Sequence, residues 1–150
     1  MNVKNNNIIV KNKNASRNYH LGDKYQAGLV LEGWEVKGLR NGKVDVKDSY
    51  VTLRNNEAWV IRLKIDAPAS LKNENIDSTR SRKLLLNKKE IHQIKKKVTE
   101  KKFSLIPIKL FINQRGFAKI EIGLGKGKKE FDKREDIKQR DISRKIREDL

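Results

Sequence analysis

The stretch "KVDVKDSYVTLRNNEAWVIRLKI" (43–65) sets the first limit on what this chain can fold into. Apolar residues recur at every second position on both sides of Asn55–Asn56, a pair that tolerates the positive φ angles of a tight hairpin. Alternation with period two describes a strand that buries one face. Val44 and Val46, then Tyr50, Val51 and Leu53, belong to one strand, and their change of parity predicts a bulge near Asp48–Ser49. In the partner strand, Trp59, Ile61, Leu63 and Ile65 are expected to share the inner face.

The same rhythm returns on either side. Tyr19, Leu21, Tyr25, Ala27, Leu29 and Leu31 alternate, with a bend expected at Gly22–Asp23. "FSLIPIKLFIN" (103–113) and "FAKIEIGLG" (117–125) flank a turn at Gln114–Arg115–Gly116, with Ile106, Ile108, Leu110 and Ile112 on one face. Pro107 marks an edge or a bulge there. "WEVKGLR" (34–40) reads as a short helical turn ended by Asn41–Gly42. A longer helix is expected over 81–102, capped near Ser78–Thr79, with Leu84, Ile91, Ile94 and Val98 at helical spacing. Residues 1–15 show no pattern and are expected to be a flexible N-terminus. Hairpins dominate and no βαβ rhythm appears. The expectation is therefore a mainly β protein with helices: a small, closed or nearly closed antiparallel OB-like barrel with packed helices over 16–125, followed by a C-terminal tail over 126–150.

Charge narrows the partner. The net charge is +17, and a basic domain of this size points to a polyanion, most commonly nucleic acid. A genome that favours Lys and Asn codons raises the same count without a ligand, so charge alone leaves both readings open. Residues 20–124 carry +10, whereas residues 125–150 carry only +3, which makes the body the electrostatic docking surface.

Catalytic chemistry finds little support. There is no cysteine, and the two histidines, His20 and His92, lack spaced partners, so no catalytic residue, metal site or cofactor is expected. Asp45, Asp48 and Glu57 could meet on one hairpin as in a metal-dependent nuclease, but ion-paired surface acids are the favoured reading. No apolar run is long enough for a membrane span, and the N-terminus lacks the pattern of a cleaved leader, so the chain is expected in the cytoplasm with no membrane partner.

Three basic stretches remain. "GLGKGKK" (123–129) lacks the Walker spacing; it reads either as a flexible basic hinge whose backbone approaches phosphates or as a plain linker. "TRSRKLLL" (79–86) places Arg80, Arg82 and Lys83 at the expected start of the long helix, where the helix dipole disfavours cations; a nearby polyanion would compensate, and a solvated basic face is the alternative. In the tail, Ile137, Ile142, Ile146 and Leu150 form a stripe beside i,i+4 pairs such as Asp141–Lys145. Such pairs contribute only about 0.2–0.5 kcal/mol each. Residues 135–150 are thus expected to be largely disordered alone and helical against a partner.

Four motifs in order, "NKNA…Y" (12–19), "YQAGLVLEGWEVKGLRNGKVDVKDSYV" (25–51), "TRSRKLLLNKKEI" (79–91) and "KGKKEFDKREDIKQRD" (126–141), resemble the small protein B family, the SsrA-binding proteins of bacterial trans-translation. The resemblance implies a non-enzymatic OB-like barrel that grips the tRNA-like domain of tmRNA. It also implies a tail that enters the decoding centre and empty mRNA channel of the small ribosomal subunit, with elongation factor Tu and alanyl-tmRNA in the delivered complex. By motif position, Asn12, Lys13, Gln26, Leu85 and Lys119 fall on the tmRNA side, joined by Tyr19, Arg80 and Arg82 as candidates. Lys126, Gly127, Lys128, Lys129, Phe131, Asp132, Lys133 and Arg134 fall in the ribosome-binding tail. Gln26 stands where the family usually has an acid, and Phe131 where it has Tyr or His. The alternative is a ribosomal or general structural RNA-binding protein of similar fold.

Overall fold

Asn55 and Asn56 take φ angles of 50° and 62° and close the expected two-residue hairpin, pairing Arg54 with Glu57. In the computed structural model, which describes residues 7–71 and 76–128, this hairpin is one edge of a larger sheet. The elements in chain order are β1 (Asn7–Lys11), α1 (Lys13–Asn18), β2 (Tyr19–Leu29), α2 (Gly33–Arg40), β3 (Val44–Asp45), β4 (Tyr50–Arg54), β5 (Glu57–Ile61), β6 (Lys64–Ile65), a 3-10 turn (Ala69–Leu71), β7 (Arg82–Leu85), α3 (Lys88–Lys101), β8 (Ser104–Ile112) and β9 (Ala118–Gly127).

Seven strands form one antiparallel sheet in the order β1-β8-β9-β2-β7-β5-β4, and β3 pairs with β6 in a small second sheet. The large sheet curls until β4 comes back against β8, but among the described residues no hydrogen-bonded ladder joins its edges. The barrel is therefore nearly closed rather than closed. Helix α3 stands over the gap: a groove of about 510 Å³ is lined by Val51 and Leu53 of β4, Val98 of α3 and Leu105 of β8. Ala27, Val60, Leu84, Leu110, Ile120 and Ile122 meet inside the curl, and Ile94 is the buried contact of α3.

Several expectations change, each for a nonlocal reason. The residues expected to be flexible at the N-terminus include β1, which gains a partner in β8, and α1, which Asn12 caps by accepting a hydrogen bond from the Asn14 N–H at 3.2 Å. The expected helix over 81–102 begins only at Lys88, because Arg82–Leu85 is pulled into the sheet between β2 and β5. Asn87 then caps α3 in a reciprocal box with Glu90. The strand expected over 43–54 is two strands, β3 and β4, in different sheets. The inner face of 57–65 also differs: Ala58 and Val60 are buried ahead of Leu63 and Ile65, because Arg62, at φ 61°, shifts the phase between β5 and β6. The bend at Gly22–Asp23 is a register shift between Leu21 and Lys24, and the irregularity at Pro107 is a bulge between Pro107 and Lys109.

Helix α2 lies against β6, and Gly38 permits the approach. A Cβ at this position would come within 2.7 Å of Ile65 Cγ2 and 3.2 Å of the Asp66 carbonyl oxygen. Alanine would gain about 1 kcal/mol of helix propensity at an open site, whereas overpacking a buried contact costs about 1–3 kcal/mol. Gly38→Ala is therefore expected to lower stability in urea unfolding, and a stabilised variant would mean that α2 shifts off β6 freely.

Candidate nucleic-acid interface

Register places the outward-facing side chains in rows across the sheet. Gly28 of β2 is opposite Leu85 of β7 on one side and Lys119 of β9 on the other. Gln26, two residues along the same face, is opposite Glu121. Because Gly28 has no side chain, its neighbours close over it: the residue is buried, and a Cβ there would be 3.4 Å from Leu85 Cβ and 3.7 Å from Lys119 Nζ. Leu85 is 55% exposed although every strand neighbour is ordered around it. Three expected site residues, Gln26, Leu85 and Lys119, thus come together from three strands around a glycine. The Glu121 carboxylate on this face has a counter-ion, with Lys109 Nζ 3.9 Å away. Lys109 Nζ also lies 5.8 Å from the centre of the Phe111 ring.

The N-terminal candidates divide by role. Asn12 is structural as well as half-exposed: its side-chain amide donates to the Pro107 carbonyl at 2.8 Å, tying the start of α1 to the β8 bulge. Lys13 is exposed on the first turn of α1. Tyr19 is half-buried beside Gly125, where an added Cβ would meet its own Cβ at 3.0 Å.

Arg82 is a correction. Expected near RNA at a helix start, it is instead fully buried on β7, with its side chain directed inward beneath α2. There it donates through Nε to Glu35 at 2.5 Å, to the Leu63 carbonyl, and to the Ser78 carbonyl at 3.0 Å. Arg80 reaches the same carboxylate, through Nε at 3.1 Å and through a second guanidinium nitrogen. Its side chain remains 28% exposed. Glu35, which sequence reasoning missed, also accepts from the Glu32 N–H at 2.8 Å, completing the cap of α2. The Glu32–Glu35 spacing at the start of "EGWEV" was the available signal. Burial pushes the Glu35 carboxyl up, but hydrogen bonds from Arg80, the Glu32 backbone and Arg82 outweigh it and hold the group below its ordinary 4.5.

The pH consequence follows from that sign. The triad's stabilisation is complete above the ordinary carboxylate value and disappears as pH falls through the lower native value. Removing one partner of a buried ion pair costs about 3–5 kcal/mol. Glu35→Gln is expected to lose that much stability at neutral pH and to show a flattened acid limb in pH-dependent unfolding. Unchanged unfolding at both ends would show that the triad contributes nothing.

The glycine–lysine motif is also reassigned. Gly123 and Gly125 are buried strand residues, and a Cβ on Gly123 would lie 2.8 Å from Ile108 Cδ1. Their smallness admits side chains of β8 and β2 over the sheet, so this segment is not a flexible phosphate hinge. β9 continues to Gly127, pairing His20 with Lys126 and Tyr19 with Gly127. The Lys128 N–H then donates to the Asn18 carbonyl and its Nζ to the Ser16 carbonyl, both at 2.8 Å. Lys126 Nζ stands 6.0 Å from the centre of the Phe103 ring. Lys129, Phe131, Asp132, Lys133, Arg134 and the expected helix over 135–150 lie outside the described residues.

The acids considered for a nuclease do not converge. Asp45 is on β3 in the small sheet, while Glu57 on β5 faces Lys83 Nζ at 3.4 Å. Among the described residues, no group of three or more metal-ligating side chains is present, and no helix is long and apolar enough to cross a membrane.

The outer face of this basic, curled antiparallel sheet carries a lysine, a leucine and an amide around one glycine, an arrangement suited to a nucleic acid. The family model described as SmpB protein matches residues 9–150, and the chain belongs to that family. It is 49% identical over 147 residues to the SsrA-binding protein of Ruthia magnifica subsp. Calyptogena magnifica, covering 95% of this chain and 88% of the relative. It is 46% identical over 143 residues to the SsrA-binding protein of Thermosipho melanesiensis, covering 95% and 97%. A solved structure described by the words "tmRNA-SmpB: a journey to the center of the bacterial ribosome" superposes with a TM-score of 0.67 at 39% identity, covering 81% of this chain and 85% of that one.

Proposed function

We propose that this chain is a tmRNA-binding adaptor that brings tmRNA to stalled ribosomes for trans-translation and tagging of the nascent peptide. The observation that carries the reading is the row Lys119–Gly28–Leu85 with Gln26 beside it, which gathers residues of separate family motifs on one exposed face. Lysines on this face neutralise phosphate, while the exposed leucine accepts the sugar and base surface of a folded RNA. Gln26 offers both a donor and an acceptor where a carboxylate would repel the RNA backbone. Asn12 and Lys13 extend the surface around α1. Arg80 adds a partly exposed cation at its margin, while buried Arg82 supports it from inside.

The tail divides the labour. Residues 129–150 follow Lys128, whose backbone N–H is tied to α1. These 22 residues span about 33 Å as a helix or roughly 75 Å extended. In this reading the Lys-Lys and Asp-Lys-Arg groups near the start of that segment contact the decoding centre and the rest follows the empty mRNA channel, while the sheet holds the tRNA-like domain. Elongation factor Tu with alanyl-tmRNA completes the delivered complex. The work is recognition and positioning, and the reaction chemistry belongs to the ribosome.

Two measurements test this division. Deleting residues 129–150 is expected to leave tmRNA affinity unchanged and to abolish peptide tagging; a parallel loss of RNA binding would place the RNA surface in the tail. The cut belongs after Lys128, because β9 and its tie to α1 extend past Gly125. Lys119→Glu is expected to weaken binding of the tRNA-like domain and to reduce the salt slope by about 1. Unchanged affinity would move the interface off this face.

A further inference from the structure

Phe117 is 61% exposed, more than any other large hydrophobic side chain among the described residues. A single exposed apolar side chain is ordinary. Three features set this one apart.

Its backbone is held. The Asn113 side-chain oxygen accepts from the Arg115 N–H at 3.1 Å and from the Phe117 N–H at 2.9 Å. The Asn113 N–H donates to the Phe117 carbonyl and the Gly116 N–H to the Asn113 carbonyl, both at 3.0 Å. Gly116, at φ 83°, completes the turn. The ring therefore leaves a fixed hairpin tip, so holding it in place costs little entropy on binding.

Its surroundings are cationic. No acid occurs between Glu100 and Glu121, nor between Glu35 and Asp45. These two acid-free segments meet where an Arg40 guanidinium nitrogen lies 3.5 Å from the Gly116 carbonyl oxygen. Arg40 and Arg115 are both exposed. A protein partner that buried the ring in an apolar pocket would have to desolvate two guanidinium groups at its rim. A nucleotide avoids that cost, since it brings a π face to the ring and phosphates to the arginines.

Its position continues the interface. Ile112 pairs with Ala118, and the Asn113–Phe117 hydrogen bond carries the β8–β9 ladder one step further. On that alternation Phe117 shares a face with Lys119, about 7 Å along the strand.

We propose that Phe117 is a stacking platform for an unpaired base of the bound RNA, with Arg40 and Arg115 holding the adjoining phosphates. The proposal rests on the RNA-binding reading of the Lys119 face and extends that face to the hairpin tip.

The test measures binding of the full chain to the transcribed tRNA-like domain of tmRNA across a salt series, for wild type, Phe117→Ala, Phe117→Leu, Phe117→Trp, Arg115→Ala and Lys119→Glu. Phe117→Ala is expected to lose roughly 5- to 150-fold in affinity, the range for one stacked base. Its salt slope and thermal unfolding should match wild type. Tryptophan restores affinity and leucine does not, whereas Arg115→Ala lowers the slope by about 1. Wild-type affinity in Phe117→Ala, or full rescue by leucine, overturns the stacking role. If Lys119→Glu still weakens binding in that case, the RNA-binding reading of the sheet face stands. If neither variant changes affinity, both fall. Loss of ribosome association with intact RNA affinity in Phe117→Ala assigns the ring to another surface and likewise overturns the proposal.

Discussion

The buried Glu35 carboxylate ties together three parts of the chain at one point. It caps α2 through the Glu32 N–H, receives Arg80 from the loop before β7, and receives Arg82 from β7 itself. Arg82 in turn holds the Leu63 carbonyl at the step between β5 and β6. One acid thereby fixes the corner where the chain passes between its two sheets. The arrangement is stable because its hydrogen bonds are complete: among the described residues no buried side-chain nitrogen or oxygen lacks a partner. Burying charge is costly, and only such saturation offsets it. With β7 held there, Leu85 is delivered to the outer face beside Gly28.

Small residues then decide what the outer face presents. Gly28 is buried and lets the Leu85 and Lys119 side chains come together over β2. Gly123 and Gly125 do the same on β9, letting neighbouring side chains close over the strand. The glycine-bearing end of β9 leads to Lys128, whose backbone N–H is tied to α1. Function here depends as much on the side chains that are missing as on the lysines that attract attention in the composition.

Turns and bends were legible because their causes are local. Asn55–Asn56, Asn41–Gly42 and Gly116 act through their own φ angles, and the irregularities at Gly22–Asp23 and Pro107 fall where glycine and proline disturb a ladder. The misreadings concern segments whose pattern suits two structures. "SRKLLL" has enough leucine for a helix, and only β2 and β5 on either side make it a strand. "EAWVIRLKI" is apolar on both parities, so Arg62 and the move to a second sheet decide which side is buried. β1 lacks a strong signal of its own and is ordered by pairing with β8.

The sequence by itself determined the class of partner, through a basic body and an ordered set of family motifs, and it offered Gln26, Leu85 and Lys119 as candidates for the RNA side. It could not bring them together, because they lie on three strands whose adjacency comes from the sheet order. Nor could it separate Arg82 from Lys83: both are basic residues in one short run, and the alternation of β7 turns one into the core and the other outward. Charge and turn propensity belong to individual residues and can be read in order along a chain. Burial, register and the side of a sheet on which a residue stands depend on what arrives from elsewhere, and only the tertiary structure decides them.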